Sequence, residues 1–461
     1  MDSRAPRAPQ NKGMSAVRGR LFAFVREPMG HGDGGSYRYI EDGLILIDEG
    51  KICTVGPAAT LVASLPSDCA VAHYPDCLIM PGFIDLHIHL PQVQMIASFG
   101  AQLLDWLETY VFPAEAKFAD PVHAATNARF LIDELFRSGT TTAVTFGSVH
   151  RQSAEALFEE ADRRGACMIA GKVMMDRSAP DSVLDTAQTS YDDSKALIER
   201  WHRRGRLRYA VTPRFVVTSS DAQMAAAKAL FDEFPDTHLQ THLSENLGEV
   251  ALVKSLYPWA RDYVDIYDRY DLLGPRSLFG HCIHLDDNEL GRLSESGSVA
   301  VFCPTSNLFL GSGLFNRSRM KEQATPITIG LATDVGGGTS FSMLRTAAEA
   351  YKVLQLRGQN FSALEAMHQI TRGNAVALGL QSEIGSLDLG CYGDLVVLDT
   401  RATPAMAHRM AAWDGAIEDE LFVLMTLGDD RAVRATFVQG RLAHDRDDRN
   451  NIRREQAEMR I

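Results

Sequence analysis

The sequence predicts an α/β architecture, a (β/α)8 TIM-like barrel with a small β-sandwich beside it, and three observations predict it. Eight short apolar runs recur between residues 83 and 332, separated by stretches of helical periodicity. Both ends of the chain carry instead short strands punctuated by turn residues. The chain has 461 residues, 45% apolar and 23% charged, which suits a large globular domain with a smaller companion.

Residues 1–18 are expected to be a disordered start, because the first thirteen carry charge but no apolar stretch of a signal peptide. Residues 19–80 read as the first part of the sandwich, with strands at 21–25, 43–48 and 51–55. The Glu49-Gly50 step between the last two is a hairpin signal. The barrel spans 81–384, with strands predicted at 83–89, 140–146, 167–175, 208–215, 238–242, 277–283, 298–302 and 327–332. Between the first two, 124–137 places Ala125, Ala128, Leu131, Ile132 and Leu135 on one helical face, and Gly139 stops that helix. Residues 385–445 return to strands, at 393–398 and 434–438, and complete the sandwich. A charged tail, 446–461, is expected to be solvated.

Composition excludes several function classes. Acidic side chains outnumber basic ones 59 to 46, a net charge of −13, which argues against a nucleic-acid partner. No apolar run reaches the ~18 residues of a membrane helix. The seven cysteines are scattered and form no C-x-x-C pair, so neither a disulfide framework nor a thiolate zinc site is indicated. A reducing, cytoplasmic setting is expected. A small uncharged ligand remains open.

The strongest local signal is PGFIDLHIH at 81–89. Alternate residues of a strand share a face, so Asp85, His87 and His89 point the same way, and two imidazoles can reach one metal. Three further candidates stand at the ends of later runs: His242, His281 and Asp334. Active sites of such barrels gather at the carboxyl ends of the strands. Four imidazoles and a carboxylate form a nitrogen-rich set that suits Zn2+ and tolerates Fe2+. A zinc-bound water has a pKa near ~7, so hydroxide is available at neutral pH. Glu245, three residues past His242, can then shuttle a proton without ligating, and Asp334 can orient the water. The plain alternative for Glu245 is a helix-start carboxylate.

These residues, with Gly-Thr-Thr-Thr at 139–142, HLSEN at 242–246 and TDVGGG at 333–338, resemble the amidohydrolase superfamily. Within it, the chain resembles the guanine deaminases, on LLDWLETYVFPAEAKF at 103–118, GKVMMD at 171–176, TPRF at 212–215 and LGDDR at 427–431. The resemblance implies metal ligands at His87, His89, His242, His281 and Asp334, and proton transfer by Glu245 and Asp334. It implies that Gln92 and Arg214 hold a purine bordered by Phe215, His242 and Asp334, in a homodimer. An arginine fork and an amide are sensible readers of guanine's carbonyl and ring acceptors. The implied reaction is hydrolysis of guanine to xanthine and ammonia. With no lysine in the fourth run to bridge two metals, one Zn2+ per chain is expected. Two alternatives stand beside it: an aminohydrolase of s-triazines, pterins or adenosine-type nucleosides, and an inactive scaffold of the same fold.

Overall fold

A computed structural model describes residues 13–448 apart from 68 and 101. The N-terminal segment supplies β1 (Ser15–Phe24), β2 (Tyr37–Asp48), β3 (Lys51–Pro57) and β4 (Ala70–Pro81). Strand β1 reaches into the segment expected to be disordered, a correction. Ala16 and Val17 are buried there and need the pairing with β2 and β4. Residues 1–12 and 449–461, which include most of the two expected unstructured ends, lie outside the described residues. Glu49 and Gly50 have φ of 48° and 81°, the left-handed pair of a tight hairpin turn matching strand twist.

The middle of the chain supplies β5 (Phe83–His89), β6 (Thr140–Phe146), β7 (Cys167–Gly171), β8 (Val173–Met174), β9 (Leu207–Pro213), β10 (His238–Leu243), β11 (Ser277–His281), β12 (Val299–Phe302) and β13 (Thr328–Leu331). All eight predicted runs are strands. The third run breaks at Lys172, so that β7 pairs with β6 and β9 while β8 pairs with β9 alone. The remaining order is β5-β6-β7-β9-β10-β11-β12-β13, in parallel register. Beyond β13 the chain returns to β5: Asp334 N donates to His87 O at 2.8 Å and His89 N to Val335 O at 3.3 Å. Those bonds all but close the barrel.

The chain's end adds β14 (Leu395–Leu398), β15 (Val433–Val438) and β16 (Arg441–Asp445). They join the N-terminal strands in one separate seven-stranded sheet, ordered β16-β15-β14-β4-β1-β2-β3. Strand β4 lies at its centre, and Gly82 alone separates β4 from β5.

The helix predicted at 124–137 spans Pro121–Arg137, started by Asp120, whose side chain accepts from Val122 N. Its buried stripe is Ala124, Ala128, Leu131, Ile132 and Leu135, with Asn127 and Phe136. Ala125 is exposed, a correction to the predicted face. Neighbouring residues are ~100° apart around a helix, so burying Ala124 turns Ala125 outward.

Between barrel and sheet, Arg206 forms a buried ion pair with Asp394, and the Tyr392 ring centre lies 4.3 Å from its guanidinium. Removing one partner of such a pair leaves the other charge without compensation. Asp394→Ala is therefore expected to lower unfolding free energy by ~3–5 kcal/mol, read from denaturant midpoints. An unchanged midpoint would contradict this account of the junction.

Candidate active site and metal centre

The carboxyl ends of the barrel strands bring the predicted site residues together. His89, Gln92, Arg214, Phe215, His242, Glu245, His281 and Asp334 line one cavity, and His87 stands against His89 and His242, while Asp85 lies at the barrel seam. His87 and His89 share a face of β5, as strand alternation requires. The Nε2 atoms of His87 and His89 are 3.1 Å apart, and that of His242 lies 3.2 Å from each. Asp334 Oδ1 stands 3.3 Å from His89 Nε2 and 3.5 Å from His87 Nε2. His281 Nε2 lies 3.8 Å from Asp334 Oδ2 and 3.5 Å from Glu245 Oε2.

Ring tautomers follow from the partners of the other nitrogens. His242 Nδ1 donates to Arg214 O at 2.8 Å, and His281 Nδ1 donates to Asn307 Oδ1 at 2.8 Å. Each bond leaves a bare Nε2 turned inward. That of His281 is buried without a hydrogen-bond partner. Burial holds His87 and His242 well below the usual imidazole range, with neighbouring imidazoles adding to it, so both are neutral. Burial also lowers His89, partly offset by Asp334. His281 is raised: burial opposes its charge, but Glu245 and Asp334 outweigh it. Asp334 is lowered because hydrogen bonding to His89 and the surrounding imidazoles outweigh burial.

Bare nitrogens this close repel one another unless a cation lies between them. Donors held ~2.1 Å from one ion, at angles between a right angle and the tetrahedral value, lie ~3.0–3.4 Å apart. The observed spacing of 3.1–3.2 Å fits that requirement. His87, His242 and His281 form one candidate ligand group, and His87, His89 and Asp334 another.

The frame around these groups is under local strain. Ser244, His281 and Asp334 have φ of 49°, 71° and 51°, values that L-residues rarely adopt and that gather at functional sites. Asp85 fastens the two ends of the barrel seam: its Oδ1 accepts from Thr333 N at 3.0 Å and His87 N at 3.2 Å, and its Oδ2 accepts from the Thr333 hydroxyl. Burial pushes the Asp85 carboxyl up to about 7 against those bonds.

Glu245 is buried beside His281, with Oε1 accepting from Ser312 Oγ at 3.0 Å. It is not the carboxylate that starts the following helix, Leu247–Leu256. That task falls to Glu249, which with Asn246 forms a capping box and whose Oε2 accepts from the backbone N–H groups of Glu245 and Asn246. Glu245 thus faces the cavity. Burial pushes its carboxyl up to about 7, opposed by His281 and assisted by Asp334 and Glu249.

Gln92, Arg214 and Phe215 line the same cavity with His89, His242, Glu245, His281 and Asp334. Leu103, Trp106 and Leu107 add apolar side chains to its lining, which Ser306, Leu310 and Gly337 complete. About 390 Å³ there is free of protein atoms, open mouth included. Gly336, at φ 121°, has no Cβ to strike the Gln92 amide, which would lie 1.8 Å away.

Several neighbours of the site escaped the sequence reading. Glu115 pairs with Arg214 across 99 residues of chain, a contact no local pattern signals. Cys303 lies with His281 and Asp334 in a third group of ligand-type atoms, although no C-x-x-C spacing marks it. Burial holds its thiol well above the usual range. Ser306 follows β12 and carries a buried hydroxyl without a partner. Its place after a predicted strand was the available signal. His284, three residues beyond His281, bonds Ser312 O at 2.7 Å and stays outside the cluster.

The amidohydrolase family model matches residues 78–443. The chain belongs to the amidohydrolase family. Guanine deaminase from Escherichia coli is 48% identical over 436 residues, 94% of this amidohydrolase and 98% of the relative. The solved structure of E. coli guanine deaminase superposes with a TM-score of 0.91, covering 94% of this chain and 100% of that one. Guanine deaminase from C. acetobutylicum with guanine bound in its active site gives a TM-score of 0.82 at 28% identity, covering 93% and 100%. The resemblance to guanine deaminases read from the sequence is borne out.

A Cβ at position 280 of this amidohydrolase would come within 2.8 Å of His87 Cε1. Gly280→Ala is expected to displace that ring and weaken affinity for a divalent metal ion ~10–100-fold, the usual loss when a ligand's support is disturbed. Competition with a chromophoric chelator measures it, and parental affinity would show that His87 does not depend on this space.

Proposed function

We propose that this chain hydrolyses guanine to xanthine and ammonia. One observation carries the reading: a single cavity with two unlike walls. One wall is a cluster of imidazoles and a carboxylate, and the other presents Arg214 and Gln92, suited to the acceptor edge of a neutral heterocycle. The 48% identity to E. coli guanine deaminase supports the substrate. So does the likeness to the C. acetobutylicum enzyme, whose structure has guanine bound in the active site.

His87, His89, His242, His281 and Asp334 would hold one zinc ion, with ferrous iron the competitor for a nitrogen-rich set. Bound there, the ion supplies water acidic enough to attack carbon at neutral pH. Arg214 and Gln92 bind the purine's carbonyl and ring acceptors, and Phe215 and Leu107 border its faces. Glu245 receives one proton of the attacking water and delivers it to the ring nitrogen beside the amino-bearing carbon. The other water proton passes by way of Glu245 or Asp334 to the departing amine. A C–O bond forms, the C–N bond breaks, and ammonia leaves. A carboxyl held near neutrality can both accept and donate at working pH.

The same reading places a homodimer in the cytoplasm, without nucleic-acid or membrane partners. The net charge of −13 supports the absence of a nucleic-acid partner and the free cysteines a reducing setting, while the homodimer rests on the resemblance to guanine deaminases. No helix among the described residues is long and apolar enough to cross a membrane.

Incubating zinc-loaded protein with guanine should yield xanthine and ammonia in equal amounts by chromatography. No turnover by the loaded protein refutes the assignment. Glu245→Gln should lower kcat by ~10²–10⁴ with zinc content unchanged, the contribution expected of a proton-transferring group. A variant with parental kcat would remove Glu245 from the proton path.

A further inference from the structure

The segment over the cavity does two things at once. It runs as a helical turn, Leu103–Trp106, a wider π turn, Leu107–Val111, and a second helical turn, Phe112–Ala116. The first part turns Leu103, Trp106 and Leu107 into the cavity. The last part does not line it, yet it holds Arg214, which does. Glu115 Oε1 accepts from Arg214 Nη1, and the Phe112 ring centre lies 5.8 Å from the Arg214 guanidinium carbon. Glu115 is fully buried and Arg214 is 2% exposed, so the pair is shielded from water.

The contact is single. A guanidinium has five N–H donors, and Glu115 takes one through one oxygen. No other hydrogen bond of the Arg214 side chain is found among the described residues. A bidentate fork would occupy two parallel donors and turn the group's edge from the cavity. A one-point contact leaves an edge for a ligand while the buried opposite charge fixes where it stands. Glu115 Oε2, buried with no hydrogen-bond partner, is the cost of this asymmetry. The Arg214 backbone serves the metal side, since its carbonyl accepts from His242 Nδ1 at 2.8 Å and from His242 N at 3.0 Å.

We propose that Glu115 is a positioning residue for substrate recognition: it aims the Arg214 guanidinium at the substrate's carbonyl oxygen and so sets discrimination between purines with and without that oxygen. The proposal rests on the reading of Arg214 as the holder of the purine. A mobile or re-aimed guanidinium would lose the carbonyl contact, whereas a ligand lacking the oxygen has no such contact to lose.

The experiment compares guanine with 2-aminopurine, which keeps the scissile amino group and lacks the carbonyl, using zinc-loaded parent, Glu115→Gln, Glu115→Ala and Arg214→Gln. Glu115→Gln removes the opposite charge that fixes Arg214 but keeps an oxygen acceptor, and so preserves the fold better than Glu115→Ala, which leaves Arg214 buried and unpaired. For Glu115→Ala, or Glu115→Gln if only that folds, KM for guanine should rise at least ~10-fold with kcat and zinc content little changed. The preference for guanine over 2-aminopurine should fall by a similar factor, since a hydrogen-bond reader left out of register forfeits its selectivity. General destabilisation lowers both substrates together and leaves that ratio intact, which overturns the proposal. A parental ratio in the Glu115 variants with a collapsed ratio in Arg214→Gln refutes the role of Glu115 alone. A parental ratio in Arg214→Gln refutes the reading of Arg214, and the proposal with it.

Discussion

Bare imidazole nitrogens do not gather within 3.2 Å of their own accord. Each gives up its water, and their lone pairs repel. The barrel supplies the opposing force by spending backbone structure on it. The seam bonds between β5 and the residues after β13 fix His87 and His89 against Asp334. Asp85 ties the same seam through Thr333 and the His87 amide. Arg214 O and Asn307 Oδ1 hold the remaining rings at their outer nitrogens. Four left-handed residues, Ser244, His281, Cys282 and Asp334, turn the chain at the ends of the strands that carry these groups. The strain is local and the support is distributed, as in sites where geometry is imposed before a ligand arrives.

Much of this was legible in the sequence. Strand alternation placed His87 and His89 together, and eight apolar runs gave the barrel, because a parallel strand buried on both faces leaves a continuous apolar signature. The ends of the runs then located His242, His281 and Asp334. What stayed hidden depends on rotation and distance. Ala125 was put on the wrong side of its helix because one residue's rotation separates two equally apolar alanines. Glu115 sits among apolar residues at 103–118 with nothing nearby to name its partner. The strand nature of Ser15 and its neighbours came from pairing with β2 and β4, which no local propensity reports.

Among the described residues, the buried arginines and lysine are each paired with a carboxylate: Arg214 with Glu115, Lys172 with Asp185, Arg206 with Asp394. A buried pair adds little net stability, yet losing one member is costly. Each pair instead fixes a junction between segments far apart in sequence. Arg206–Asp394 joins barrel to sheet, Lys172–Asp185 anchors the chain where the third run breaks, and Arg214–Glu115 joins the cavity's cover to its wall.

The central place of β4 in the terminal sheet bears on how the chain is made. One flank of β4 pairs with β1, and the other waits for β14, more than three hundred residues downstream. Because β4 runs into β5 through Gly82 alone, the strand bearing the first two histidines gains the brace that β14 gives β4 only after residues 395–398 emerge from the ribosome. In a nascent chain β5 can pair early with β6, but its seam bonds to residues 334 and 335 and the β14 flank of β4 form only once those distant segments have been made.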